Sequence, residues 1–213
     1  MDRGDRSPIF YGYNTEQVRR KDVPRLATDF LRAQFKGRLI SADPADDVAS
    51  LFAFATIVMK YGWAYMDHYI KQKPKFLQGH LDVARSLGSG ERLVSVSATV
   101  SNTLDVQRAG GKVAMVAPED DFLPVSFTAE AILKEAPHPN AAKLYVTWLL
   151  SKEWQSAGVY SSRSDVPPPA GLPALSSYRL EERYLEFVSG EDQLTDLRKR
   201  FKSYVGPFAT VSR

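Results

Sequence analysis

Cysteine is absent from this chain of 213 residues. Disulfides, thiolate metal sites and cysteine nucleophiles are therefore excluded. The compartment stays open, because a chain of this length can bury a core that needs no covalent staples. Histidine is scarce, with 3 copies, His68, His80 and His138. No two of them share a helical face at ligand spacing, so they read as surface or turn residues and no metal site is expected from them. An excess of charge of one sign is lacking as well. The 28 basic and 25 acidic residues leave a formal net charge of +3, too even a balance to call for nucleic acid as a partner. Long apolar runs are missing. The longest is Val48 to Met59, ended by Lys60; it is too short to cross a bilayer and reads as a buried helix, so no direct membrane insertion is expected. Met1-Asp2-Arg3-Gly4-Asp5-Arg6 is charged and no apolar run of signal-peptide length follows it, so the sequence as given shows no secretion address. There is no Gly-x-Ser-x-Gly elbow. Gly88-Ser89-Gly90 and Gly110-Gly111 lack the lysine and spacing of a phosphate loop and read as helix stop and turn.

What is present is ordinary for a globular protein, with 44% apolar and 25% charged residues. Ile9 to Tyr13 is a short aromatic-rich strand running into a turn at Asn14-Thr15. Asp29 to Phe35 makes a helical turn stopped by Gly37, and Arg38 to Ser41 is a brief strand. Asp43-Pro44-Ala45-Asp46-Asp47 suits the opening of a helix running from about Asp46 to Tyr61, followed by a second over Gly62 to Lys71. Leu81 to Leu87 is a short helix. Leu93 to Val100 alternates with period two, Ser95, Ser97 and Thr99 falling on one face and Val94, Val96 and Ala98 on the other. Leu104 to Ala109 is a helical turn, Lys112 to Ala117 a strand, and Thr128 to Glu135 a helix candidate. Asn140 is an N-cap candidate. Ala141, Leu144, Tyr145, Trp148 and Leu149 follow it with amphipathic helical spacing. Val166 to Pro169 is rigid and extended, and Arg179 to Tyr204 suggests one or two solvent-facing helices. Strands and helices interleave throughout, an α/β pattern.

Two constellations could carry chemistry. Asp46-Asp47 is either a cation-binding or acid/base pair, or simply the acids of a helix start. Ser95, Ser97, Thr99 and Ser101-Asn102-Thr103 gather hydroxyls and an amide at a strand end, where ligands bind in open α/β sheets. The alternative is a small-residue edge strand followed by a capped helix.

Ala136-Pro137-His138-Pro139-Asn140-Ala141-Ala142-Lys143-Leu144, with Trp148-Leu149-Leu150-Ser151-Lys152-Glu153 after it, resembles the substrate-binding proteins of ABC-type uptake systems, in their ferric-iron-binding-like group. Further blocks agree in order: Tyr13-Asn14-Thr15, Pro24 with Asp29-Phe30-Leu31 and Phe35-Lys36-Gly37-Arg38, Asp43-Pro44, Gly79, Gly90-Glu91, and Val166 to Pro169 with Gly171-Leu172-Pro173. Together they cover roughly residues 9 to 178. The resemblance implies an α/β fold of the type II periplasmic-binding kind, with two lobes around a cleft that closes on a small-molecule solute and then docks on an ABC permease. It implies a periplasmic or extracellular protein without covalent chemistry.

By the same resemblance, residues 1–19 hold the hinge or crossover strand, 20–115 the second lobe, 116–165 the return into the first lobe, and 166–213 a Pro-rich segment with C-terminal helices. Relatives carry a further stretch ahead of Ile9 that builds most of the first lobe. The expectation is thus one complete lobe plus part of a second, in a truncated or re-started form, with the stripe of Leu144, Tyr145, Trp148 and Leu149 left uncovered. Iron-binding relatives place paired tyrosines near the strand that aligns with Leu93 to Ser101. Here that place reads Ser97-Ala98-Thr99-Val100-Ser101, which argues against ferric iron; no cofactor and no metal are expected. The expected ligand-binding residues are Asp46, Ser97, Thr99, Ser101 and Asn102. The competing readings are an enzyme on the same fold, similar to the pyrimidine-forming enzymes of thiamine biosynthesis, and a non-binding interaction protein.

Overall fold

The structure is a computed structural model that describes residues 3–157 and 160–206, with side chains from Arg6 onward. In chain order the elements are β1 (Arg3–Asn14), β2 (Leu39–Ala42), α1 (Val48–Tyr61), α2 (Ala64–Lys71), β3 (Lys75–Leu77), α3 (His80–Ser89), β4 (Val94–Thr99), α4 (Val100–Arg108), β5 (Val113–Val116), β6 (Leu123–Ala129), α5 (Pro139–Leu149), α6 (Lys152–Gln155), β7 (Tyr160–Ser161), β8 (Leu180–Glu181), α7 (Tyr184–Ser189) and α8 (Glu191–Val205). The strands join in the order β3-β2-β4-β1-β6-β8, with β5 and β7 also paired to β1.

β1 is the spine. Its C-terminal half pairs antiparallel with β4 and β5, and its N-terminal half with β6 and β7. On the far side of β4, β2 runs parallel to both β3 and β4. A Cβ at Gly12 would sit 2.8 Å from Leu87 Cδ1 and 2.9 Å from the Ala98 Cβ. The missing side chain is what lets α3 lie against β1 and β4 at the point where the β1–β4 register shifts.

α1 is apolar on nearly every face because it is covered on nearly every face. Asp47 caps it by accepting from the Ser50 amide at 2.6 Å, and Leu51, Phe52, Phe54 and Ile57 are buried. Phe54 meets Tyr69 of α2, Phe76 of β3 and Phe201 of α8. These join Tyr11, Phe30, Tyr65 and Met66 in the main core. Each fully buried side chain of this size contributes roughly 1.5–3 kcal/mol. Among the described residues no single helix is long and apolar enough to cross a membrane; α1 and α2 pass that test only jointly, and they are bent by 118°.

Four local expectations are corrected. Thr128 and Ala129 end β6, and no helix covers 128–135. β6 is a strand because its first four residues are buried and it pairs along β1, contacts that outweigh the helical propensity after Thr128. α4 starts at Val100, so Ser101 and Asn102 lie in its first turn and not at a strand end. α5 starts at Pro139, with His138 and not Asn140 at the N-cap position and no side-chain cap bond, because proline fits the first helical position with no amide to satisfy. α7 and α8 are not wholly solvent-facing: Tyr184 and Phe201 are buried, Phe201 against Phe54 and Trp63.

Three of the four residues of the expected α5 stripe are exposed, and Leu149 is half-buried. Leu144 is 72%, Tyr145 57% and Trp148 43% exposed, and α5 buries no residue at all.

Candidate functional site

β2, β3 and β4 are parallel, so their C-terminal ends share one rim, and the helices α1, α3 and α4 begin along it. Helix starts present amide donors without intrahelical acceptors and the positive end of the helix dipole. The rim is thus the donor-rich edge of the sheet, and it faces the N-terminal half of β1.

At the α4 start, Thr99, Val100, Ser101 and Asn102 line a cavity of about 110 Å³ together with Arg6, Ser7, Pro8 and Tyr160. Its walls come from the N-terminal half of β1, from the β4–α4 junction that pairs with β1 at Ile9, and from β7. Thr99 occupies the N-cap but does not bond the first-turn amides; its hydroxyl accepts from Asn102 Nδ2 at 2.9 Å. No acid lies in the first turn of α4. Opposite, Arg6 is ion-paired with Glu182, and its guanidinium carbon lies 6.0 Å from the Phe127 ring centroid. Tyr160 donates to the Pro173 carbonyl at 2.8 Å. Burial, aided by Tyr178, pushes its phenol up, so it stays a neutral donor. A second cavity of about 250 Å³ shares Arg6 and Tyr160 with the first and carries the hydroxyls of Ser161, Ser164 and Ser176.

The five residues singled out in the sequence fall in three places. Thr99, Ser101 and Asn102 line the cavity. Ser97 sits behind it, fully buried. Its hydroxyl is 2.8 Å from Ser41 Oγ and accepts from the Ala42 amide at 3.0 Å, which fastens β4 to β2. Asp46 is exposed farther along the rim, accepting from Gln78 Nε2 at 3.0 Å. The structure brings three of them together and sets the other two apart.

Arg6, Ser7 and Tyr160 escape sequence reasoning. Arg6 belongs to a charged opening segment, and Tyr160 reaches it only through the β1–β7 pairing. His80, which the sequence suggested was a surface or turn residue, is wedged into the rim. It bonds the Ser97 carbonyl and Asp47, and its side chain is 13% exposed. Burial pushes the Asp47 carboxyl up, but the bonds from His80 and Ser50 outweigh it and hold the group at about 2. Asp43, buried beside them, is held above the usual carboxylate value by desolvation. Among the described residues no three His, Asp or Glu side chains gather at metal-binding distance.

The chain matches, over residues 6–192, a family described as bacterial extracellular solute-binding protein. A protein of Haemophilus influenzae described as uncharacterized is 28% identical over 152 residues, which is 68% of this chain and 43% of that protein. The chain therefore spans less than half of that relative. Among solved structures, the periplasmic binding protein AfuA from Actinobacillus pleuropneumoniae, with exogenous fructose-6-phosphate bound, is similar with a TM-score of 0.81 at 21% identity, over 96% of this chain and 68% of that one. Iron-bound HitA from Pseudomonas aeruginosa is similar with a TM-score of 0.73 at 17% identity, over 93% of this chain and 68% of that one. Likeness at these identities shows the shared periplasmic-binding fold.

Proposed function

Because the chain belongs to the bacterial extracellular solute-binding family, we propose that it captures a small anionic solute, without covalent chemistry, in the cleft at the start of α4. The supporting observation is the cavity that sets Thr99, Ser101 and Asn102 opposite Arg6 and Tyr160. The first turn of α4 offers amide donors and the positive dipole end. Arg6 adds a fork of donors suited to a carboxylate or phosphoryl group. The adjoining cavity, with its serine hydroxyls, would take the uncharged remainder of the solute. AfuA, similar in fold, was solved with a sugar phosphate, which makes phosphate monoesters the first probes.

In this reading Thr99, Ser101 and Asn102 touch the solute. Ser97 acts from behind by holding β4 to β2, and Asp46 flanks the rim. Ferric iron is a poor match, because neutral hydroxyls, amides and a cation oppose the anionic oxygen ligands that a hard cation takes. HitA was solved with iron, so the two cargoes can be compared directly. Delivery of the solute to an ABC permease, and residence outside the cytoplasm, belong to the same proposal.

A thermal-shift screen with fructose 6-phosphate, inorganic phosphate and ferric citrate tests it. Ligand-linked stabilisation grows with the logarithm of concentration over Kd, reaching about 2.7 kcal/mol at a hundredfold excess. A rising melting temperature with the phosphate compounds supports the reading. Stabilisation by ferric citrate alone, or by none of the three, would overturn it.

A further inference from the structure

His80 lies between two acceptors. Its Nδ1 is 3.1 Å from the Ser97 carbonyl oxygen, and its Nε2 is 3.1 Å from Asp47 Oδ1. A neutral imidazole carries one N–H and can donate to only one of them, leaving a ring lone pair facing an oxygen lone pair at the other. Only the doubly protonated ring donates to both. One acceptor is a helix cap and the other lies in the strand that leads into a second helix. Asp47 caps α1, and Ser97 precedes by two residues Thr99, the N-cap of α4. His80 is itself the first residue of α3. One ring therefore fastens all three helix starts of the rim, and the Ser97 it holds is the residue whose hydroxyl pins β4 to β2.

We propose that His80 is a proton-dependent positioning residue: its doubly protonated ring fixes the β4–α4 junction, and loss of one proton releases that junction and weakens solute capture. The claim about capture rests on the anionic-solute reading above; the claim about the junction does not. The ring bonds Asp47, the N-cap of α1; Asp43 and Asp46 lie in the connection before α1, Asp46 bonded to Gln78, and from α8 Lys202 acts on Asp43 and Arg198 on Tyr184. On α7, the Tyr184 phenol is pushed up by burial and by the Asp47 charge. The other charges on α3, and on α4 and β3 packed against it, sit in ion pairs of their own: Asp82 with Arg85, Asp105 with Arg108, and Lys75 with Glu91. Arg6, on β1, is paired with Glu182. No second cation competes with His80 for Asp47 among the described ion pairs.

The test is an NMR pH titration of the unliganded chain between about pH 5 and pH 8.5, the window in which histidine changes charge. It is run on the wild type and on His80→Gln, which cannot titrate. Calorimetric titration with fructose 6-phosphate accompanies it at both ends of the window. We expect the amide resonances of Ala98 to Ser101 to move with the same midpoint as the His80 ring in the wild type and to stay still in the variant. We expect the wild type to bind about fivefold more tightly than the variant at the acid end, the worth of one such hydrogen bond, and equally at the alkaline end. Taking the ratio of the two proteins cancels the ionisation of the phosphate itself. Amides that ignore the ring titration overturn the positioning role, whatever binds. A wild-type to variant ratio that does not change with pH overturns the coupling to capture. Ring and amides titrating together in a protein that binds no phosphate at any pH would uphold the positioning role and sink the anionic-solute reading instead.

Discussion

Ser97 Oγ lies 2.8 Å from Ser41 Oγ inside the sheet, where neither side chain meets solvent. The same Ser97 oxygen accepts from the Ala42 amide at 3.0 Å. Ser97→Ala would remove the acceptor of the buried Ala42 amide and one of the two partners of the buried Ser41 hydroxyl, which keeps the Ala42 carbonyl. The expected loss of unfolding stability is about 1–3 kcal/mol, measured by urea denaturation. Solute affinity should fall less than with changes at Ser101, since Ser97 acts only through strand position. An equal or larger loss of affinity with unchanged stability would place Ser97 in the cleft after all.

Asp121 carries the densest buried polar knot. It accepts from Tyr11 at 3.0 Å, the Ala27 amide at 2.6 Å, Lys60 at 2.6 Å and Tyr61 at 2.7 Å. Burial pushes its carboxyl up, but the bonds from Lys60 and Tyr61 prevail and hold it below the usual value. A carboxyl depressed in the folded state stabilises above its unfolded value, near pH 4, and that stability is lost as pH falls through the folded value. Asp47, held at about 2, has the same sign. With its side chain 33% exposed, its share is on the order of 1 kcal/mol after allowing for screening. Asp121→Asn should cost about 1–3 kcal/mol at pH 7, because the amide cannot accept from all four donors and leaves the buried Tyr11 hydroxyl or the Ala27 amide short of a partner, while the partly exposed Lys60 keeps the Asp120 carbonyl. It should also flatten the decline in stability as pH falls below about 5. An unchanged acid limb would show that the knot is electrostatically neutral.

Gly12→Ala should destabilise by about 1–3 kcal/mol, since the added methyl would lie 2.8 Å from Leu87 Cδ1 and 2.9 Å from the Ala98 Cβ. Thermal unfolding reads this directly. A neutral result would mean that α3 can slide away from β1 at no cost.

The exposed stripe of Leu144, Tyr145 and Trp148 should make the 213-residue chain bind hydrophobic dyes and self-associate. Leu144→Lys combined with Tyr145→Lys should reduce both at little cost in stability, because these two side chains are 72% and 57% exposed and α5 buries no residue. Sedimentation of the two proteins at matched concentration checks this; a monomeric wild type that binds no dye would contradict it.

The interleaved α/β order, the strand at Leu93 to Val100 and the buried helix after Asp47 were legible, because apolar period and helix-start chemistry are local signals. Depth was not. Alternation assigns Ser97 to a face but cannot say that β4 is covered on both faces, so a hydroxyl opposite a valine still ends in the core. β6 escaped because Pro124 lies inside it, and its place depends on pairing with β1 more than a hundred residues earlier. Arg6 and Tyr160 become cavity walls by that same long-range pairing. His80 was misplaced for a similar reason: its two partners come from separate elements.

The most direct test of the account is calorimetric titration of fructose 6-phosphate into the wild type and into Ser101→Asp. Ser101 is exposed in the first turn of α4, where a carboxylate suits the helix dipole and leaves folding intact. It would also repel an anion bound at that turn. Saturable binding is expected of the wild type and at least tenfold weaker binding of the variant, with an equal or higher melting temperature. Equal affinity in the two proteins, or no binding by the wild type, would contradict it.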